Sequence, residues 1–334
     1  MSNLAKLNKQ DFGKSVFDAE TLKLIAEEQL WKIWVPKTYD GLELALTEGL
    51  KTLQQLASID GSLGWTVTLC SGANYFIGNL LPTTASTIFK ASANPILGGS
   101  GGLFGTAHKE GDHYRLNGTW KYATGAPYLT HFTLNAKIIE NGKETFNEDG
   151  SPVFKSFVIP REAVHIIDDW HTMGLQATAT QSFAVTDHLV HQDFSFVYNE
   201  FYLPQDIFKI NFRVFADLTL WVNYIGMAQH YLAEASKLLE QKTLEQSHKI
   251  TTEATNQLFN YAQQIETITA DNAVFTAVQI EELHTTAAAS VKRLSQLLIE
   301  LHPRLGIKAA SSQHPLNLIF RDYFTATQHH IFTR

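Results

Sequence analysis

The stretch Asn317-Leu318-Ile319-Phe320-Arg321-Asp322-Tyr323-Phe324-Thr325-Ala326-Thr327-Gln328-His329-His330 follows a proline-containing loop and reads as a helix that ends on histidine. Arg321 lies eight positions before His329, which places the Arg-Asp pair and the imidazole about two turns apart on roughly one helix face. A histidine at the C-terminal end of a helix also sits favourably against the negative end of the helix dipole. The motif alone therefore leaves a purely structural reading open, and the rest of the chain decides.

Upstream, the sequence divides into three sections. Residues 1–93 read as an N-terminal helical domain. Leu22, Ile25, Ala26 and Leu30 recur at helical spacing until Trp34-Val35-Pro36 interrupts them, because the residue before a proline is pushed out of the helical region. Leu44, Leu50, Leu53, Leu56 and Ala57 form a second helix, and Asp60-Gly61 breaks it before a buried apolar segment from Leu63 to Leu69. Residues 94–200 are rich in Gly, Thr, Phe and Val and read as a central β domain, a small barrel or sandwich. There, Asn117-Gly118 predicts a two-residue hairpin turn, since type I′ needs positive φ at both central positions. Phe132, Leu134, Ala136 and Ile138 alternate in the next strand, and Phe157 and Ile159 in another. Residues 201–334 return to helix. Val214, Leu218, Trp221, Ile225, Ala228, Leu232, Ala235 and Leu239 step by four and three, and Val291, Leu294, Leu298 and Leu301 repeat the pattern. Such seams belong to a four-helix bundle core or a subunit interface, so a homo-oligomer, dimer or tetramer, is expected.

Composition excludes several functions. The net charge of −7 and the lack of any Lys/Arg run argue against a nucleic-acid binder. The single cysteine, Cys70, rules out an intrachain disulfide and a cysteine metal site, points to a reducing cytoplasm, and reads as buried and inert. The opening Met1-Ser2-Asn3-Leu4-Ala5-Lys6-Leu7-Asn8-Lys9 lacks the apolar core of a signal peptide, and no run reaches the ~20 apolar residues that span a bilayer. A soluble protein with no membrane partner is expected. Among fourteen histidines, the pairs His108/His113 and His188/His191 lack a carboxylate cluster and no HExxH occurs, so no metal is expected. Asp168-Asp169 reads as a solvated turn. Gly98-Gly99-Ser100-Gly101-Gly102 satisfies no nucleotide-loop pattern and reads as a flexible loop.

Four further stretches carry a resemblance. They are Trp34-Val35-Pro36 with Tyr39-Asp40-Gly41-Leu42, where Asp40 stands in place of a usual glycine; Ala57-Ser58-Ile59-Asp60-Gly61-Ser62-Leu63-Gly64-Trp65; Tyr114-Arg115-Leu116-Asn117-Gly118-Thr119-Trp120-Lys121-Tyr122-Ala123-Thr124-Gly125-Ala126; and Trp170-His171-Thr172-Met173-Gly174-Leu175-Gln176-Ala177-Thr178-Ala179-Thr180. With the C-terminal stretch they span nearly the whole chain, and they resemble the acyl-CoA dehydrogenase superfamily, closest to its flavin-dependent monooxygenase branch. The resemblance implies an α+β, mainly α fold of helical domain, β domain and helical bundle, with flavin between the last two. It implies reduced flavin, FMN by branch and FAD as the alternative, supplied by a separate reductase for hydroxylation of an aromatic or other small organic substrate. By the same resemblance the Thr124 hydroxyl would donate to the flavin N5 or O4 region, and Trp120, Tyr122 and Ala123 would flank the ring or its ribityl chain. Thr178 and Thr180 would reach the cofactor, the Gly98 loop would lie near the flavin edge, and Arg321 and Asp322 would brace the pocket. His329 would polarise or deprotonate the substrate. His330 is the adjacent alternative, but a turn of ~100° between neighbours keeps both from one pocket. Asn74 stands near where the branch often has a histidine, and it cannot exchange a proton.

The dehydrogenases of the superfamily use a glutamate as base. One of its usual positions falls near His330, and the other lies on the first long helix, where only Asp206 and Asp217 occur between Phe201 and Ala233. Two other readings follow: a flavin dehydrogenase with an atypical base, and a flavin-free binding or assembly member, for which Asn74 and the short termini speak.

Overall fold

Four helices open the described chain: α1 (Ala19–Glu27), α2 (Leu46–Ile59), α3 (Gly61–Asn74) and α4 (Pro82–Phe89). The computed structural model describes residues 6, 7, 10, 13–91 and 94–332; Met1 to Ala5, read above for a leader, lie outside them. Eight strands follow: β1 (Leu97–Glu110), β2 (His113–Ala123), β3 (His131–Glu140), β4 (Lys143–Glu144), β5 (Phe154–Pro160), β6 (His165–Ile167), β7 (Gln181–His191) and β8 (Ser195–Phe196). They form one mixed sheet in the order β6-β7-β2-β1-β3-β5-β8, with β4 on β3; β1 and β3 are parallel and the other pairs antiparallel. Helix then returns as α5 (Phe212–Ala235), α6 (Gln241–Ala270), α7 (Ala277–Leu301) and α8 (Pro315–Ala326). Helix α5 packs on α6, α7 and α8 and also on α2 and α3. Among the described residues no helix is long and apolar enough to cross a membrane.

Helix α3 is enclosed by the sheet, α2 and α5, and only Leu69 and Gly72 in it are less than fully buried. A helix apolar all round belongs in an interior. Its first N–H groups have no water to turn to, so Asp60 caps it, accepting from the Leu63 N–H at 2.8 Å.

The expected turn at Asn117-Gly118 does not exist. β2 runs through it, and the hairpin turns at Gly111-Asp112, between the paired residues Glu110 and His113, with Gly111 at φ +62. Gly118 is glycine for another reason: the Trp120 indole lies across it, and a Cβ there would come within 2.7 Å of Gly105 Cα and 2.8 Å of the indole. The expected glycine loop is strand β1, its register shifted after Ser100. The C-terminal helix stops at Ala326, so His329 lies beyond it and His330 opens a 3-10 turn. Helix α5 likewise ends before Leu239.

Arg321 and Asp322 on α8 clamp the loop before β7. The Arg321 guanidinium donates to the carbonyls of Met173 at 3.0 Å and Ser312 at 3.2 Å, and Asp322 Oδ1 accepts from the Leu175 N–H at 2.5 Å. Gly174 permits this approach, since a Cβ on it would lie 2.3 Å from the Arg321 carbonyl. The other Asp322 oxygen lies over Gly61, 3.1 Å from where a Cβ would stand, beside Asp60. Burial raises the pKa of both carboxyls, and the Asp60 charge raises that of Asp322 further.

Two outcomes are expected. Gly174→Ala should cost about 1–3 kcal/mol in urea denaturation, because the added methyl overpacks against α8 backbone. Raised carboxyl pKa values mean that the folded chain keeps protons the unfolded chain has released. The pair's contribution to stability is therefore complete below the ordinary carboxylate range of ~4 and is lost as pH rises through the raised values. Asp322→Asn, which retains an acceptor for Leu175, should flatten the slope of stability against pH above ~4; an unaltered slope would show that the Asp322 pKa is not raised in the folded chain.

Candidate functional site

A cavity of about 160 Å³ lies between α3, the sheet and α5. The two incompletely buried residues of α3, Leu69 and Gly72, contribute to its wall, β1 contributes Gly98 to Gly101, and Thr124 stands in it just past the end of β2. β2 reaches that point through an irregularity: its register against β7 shifts between Trp120 and Ala123, and Tyr122 adopts φ +66. Such bulges re-aim the chain. The turn that follows is pinned by the Gly125 N–H donating to the Thr178 carbonyl at 2.7 Å.

Three hydroxyls run inward from Thr124. Thr124 Oγ1 lies 3.1 Å from Thr180 Oγ1, which lies 2.7 Å from Thr178 Oγ1, and Thr178 donates to the Leu175 carbonyl at 2.7 Å. A carbonyl only accepts, so the direction of the chain is fixed: Thr178 has spent its proton, Thr180 donates to Thr178, and Thr124 donates to Thr180. Thr124 therefore presents lone pairs to its outer side, as an acceptor and not as the donor expected from sequence, because its proton is spent on Thr180. Beside it, Thr66 Oγ1 is buried with no protein partner, and its methyl faces Gly125. Cys70 is buried next to the same turn, and burial pushes its thiol pKa far up, which suits the inert thiol expected from sequence.

The structure separates the other expected residues. Trp120 is fully buried in the β layer, stacked on Phe183 at 5.5 Å and donating to the Asn135 carbonyl; it flanks no open space because Gly105 and Gly118 make room for it below the sheet surface. Ala123 is also buried, whereas Tyr122 is 66% exposed with its edge toward Trp170. Asn74 lies outside the cavity wall, and its amide is committed to backbone. It donates to the carbonyls of Trp31 and Pro95 and accepts from the Leu97 N–H, tying α3 to the start of β1. His329 packs edge-on to Trp65 with ring centres 5.7 Å apart, and Trp65 stands one helical turn before Leu69. Neither Trp65 nor the imidazole belongs to the cavity wall, so the structure leaves His329 behind the α3 side rather than in the cavity. Burial, with the neighbouring His330, lowers its pKa to about 4, so it is neutral at pH 7. His330 points to solvent.

Of the carboxylates considered as alternative bases, Asp217 turns away from the cavity to His284 on α7, 3.2 Å from each oxygen, and Asp206 pairs with Lys209 at the surface. Sequence reasoning missed a buried polar cluster at the cavity's far side, where Asn135 accepts from Ser156 and Tyr198. Its signal was present: Asn135 is the one amide between the alternating Leu134 and Ala136 of β3.

No family model matches the sequence. It is 27% identical over 210 residues to an indole-3-acetate monooxygenase of Pseudomonas putida, covering 62% of this chain and 51% of that one. It is 24% identical to HsaA of Rhodococcus jostii, a flavin-dependent monooxygenase oxygenase subunit, over 53% of this chain and 45% of that one. The chain thus spans about half the length of these curated relatives. The HsaA crystal structure from M. tuberculosis superposes with a TM-score of 0.87 at 18% identity, covering 99% of this chain and 94% of that one. XiaF from Streptomyces sp., solved with FADH2 and glycerol, gives 0.85 at 19%, covering 99% and 87%. The chain has the acyl-CoA dehydrogenase-like fold of these flavin-dependent monooxygenases, and the relatives it matches in sequence are oxygenases of that branch.

Proposed function

We propose that this protein is the oxygenase of a two-component system, taking reduced flavin from a separate reductase to hydroxylate a small aromatic substrate. The hydroxyl chain that ends on Thr124 carries the reading. Its outward lone pairs suit a donor, and N5 of a flavin bears a hydrogen only when the ring is reduced. The chemistry supplied by the bound flavin, FMN in preference to FAD, is two-electron activation of oxygen and delivery of one oxygen atom to the substrate.

The residues of the chain have distinct parts in this reading. Thr124 orients the ring, with Thr180 and Thr178 holding its hydroxyl in one direction. Arg321 and Asp322 hold the loop that carries Leu175, the anchor of that chain. His329, neutral at working pH, offers an imidazole as hydrogen-bond partner at the α3 side and takes a proton only transiently. The exposed apolar side chains of Phe104, Tyr122 and Met173 on the β layer would be covered in a homo-oligomer, dimer or tetramer, working in the cytoplasm. A dehydrogenase is disfavoured because no carboxylate among the described residues lines the cavity.

Mixing the protein anaerobically with reduced FMN or FAD and then admitting oxygen should give a transient species whose absorbance differs from both reduced and oxidised flavin. Tight flavin binding without it, together with reduction of bound flavin by an acyl thioester, would replace the oxygenase reading with the dehydrogenase one. No binding at high micromolar flavin would leave a flavin-free member. Thr180→Val removes the acceptor that orients Thr124, so the ratio of reduced to oxidised flavin affinity should fall about 5-fold, the equivalent of about 1 kcal/mol for one hydrogen bond.

A further inference from the structure

Among the described residues the cavity wall contains no charged side chain. Three charged residues are sequence neighbours of wall residues, and each is directed elsewhere. Lys155, next to Ser156, lies over the Tyr114 ring; Arg213, next to Phe212, pairs with Glu281 at 2.9 Å; Asp217, next to Ala216, faces His284. A carboxylate entering this space would lose its hydration without gaining a cation, which is strongly unfavourable.

What the wall offers instead is aromatic surface and acceptors. Phe76, Phe196, Phe212 and Phe215 contribute to it, and Tyr198 stacks on Phe212 with ring centres 4.9 Å apart and planes within 3°. Asn135 sets the polarity at the far side. Its amide nitrogen donates to the Gly101 carbonyl at 2.9 Å, which fixes the orientation of the group. Its oxygen then accepts from Ser156 at 2.6 Å and Tyr198 at 3.1 Å. Both hydroxyl protons are spent, and burial keeps Tyr198 a neutral phenol. A guest therefore meets lone pairs on Ser156 and Tyr198. The volume, about 160 Å³, is close to the ~150 Å³ of an apolar cavity known to bind benzene.

We propose that the cavity takes a neutral aromatic molecule of one or two fused rings carrying a hydrogen-bond donor, a phenol or an indole N–H, and rejects aryl carboxylates. This deepens the oxygenase reading and rests on it for the fate of the guest, although binding itself needs no flavin.

Calorimetric titration of the purified chain, without flavin and then with saturating FMN, separates the two. Indole and 2-naphthol should bind under both conditions. Indole-3-acetate should bind about 100-fold more weakly than indole, and naphthalene about 5-fold more weakly than 2-naphthol, one hydrogen bond fewer. Tyr198→Phe should shrink the 2-naphthol preference while leaving naphthalene affinity in place. Indole-3-acetate binding as tightly as indole, competition between indole and FMN for one site, or no binding of any of these aromatics would each overturn the assignment. If the neutral probes bind as expected and flavin does not bind at all, the substrate assignment stands and the oxygenase reading falls.

Discussion

Helix α3 has no face left for water, and that constraint organises the molecule. An enclosed helix needs partners on every side, and it receives them from the sheet, α2 and α5. It also needs its orphan N–H groups satisfied by protein, which brings the Asp60 carboxyl indoors. A buried carboxyl is costly to ionise, yet a second one, Asp322, comes to the same helix end. The only slack along α3 is at Leu69 and Gly72, and that is where the cavity opens.

From the Asp322 carboxyl a continuous path of hydrogen bonds leads to the cavity. Asp322 holds the Leu175 N–H, the Leu175 carbonyl accepts from both Thr178 and the Trp170 indole, and Thr178 is followed by Thr180 and Thr124. Leu175 adopts φ +52, a conformation that residues other than glycine and asparagine seldom hold. Its N–H and C=O are both in use, which is what keeps it there. The direction of every hydroxyl on the path follows from that one carbonyl.

The change from helix to strand and back was legible because apolar spacing changes with it, from the stripe of α5 to the alternation in β3. Arg321 and Asp322 were expected to brace the pocket, but what they touch, a loop far away in sequence, could not be read from the local motif. Asn117-Gly118 misled because a turn signal is local, whereas Gly118 answers to the Trp120 ring packed across it. Helix α6 left little trace, since its buried face uses Ser247, Thr251, Ala254 and Ala262 among few large apolar residues. Asn74 and His329 show the other limit. Sequence gives the residue type, but only packing tells whether an amide is already consumed by backbone, or whether a histidine stands past the end of its helix.

The clamp also bears on how the chain comes off the ribosome. Asp322 meets a loop residue 147 positions earlier and, through Gly61, a helix end formed near the beginning of the chain. Until α8 has emerged, Leu175 lacks the contact that holds its strained backbone, and the hydroxyl path behind Thr124 has no fixed anchor. A growing chain is thus denied an ordered cavity wall until α8 has been made, and the same dependence would make loss of α8 loosen the cavity while leaving the sheet's own hydrogen bonds intact.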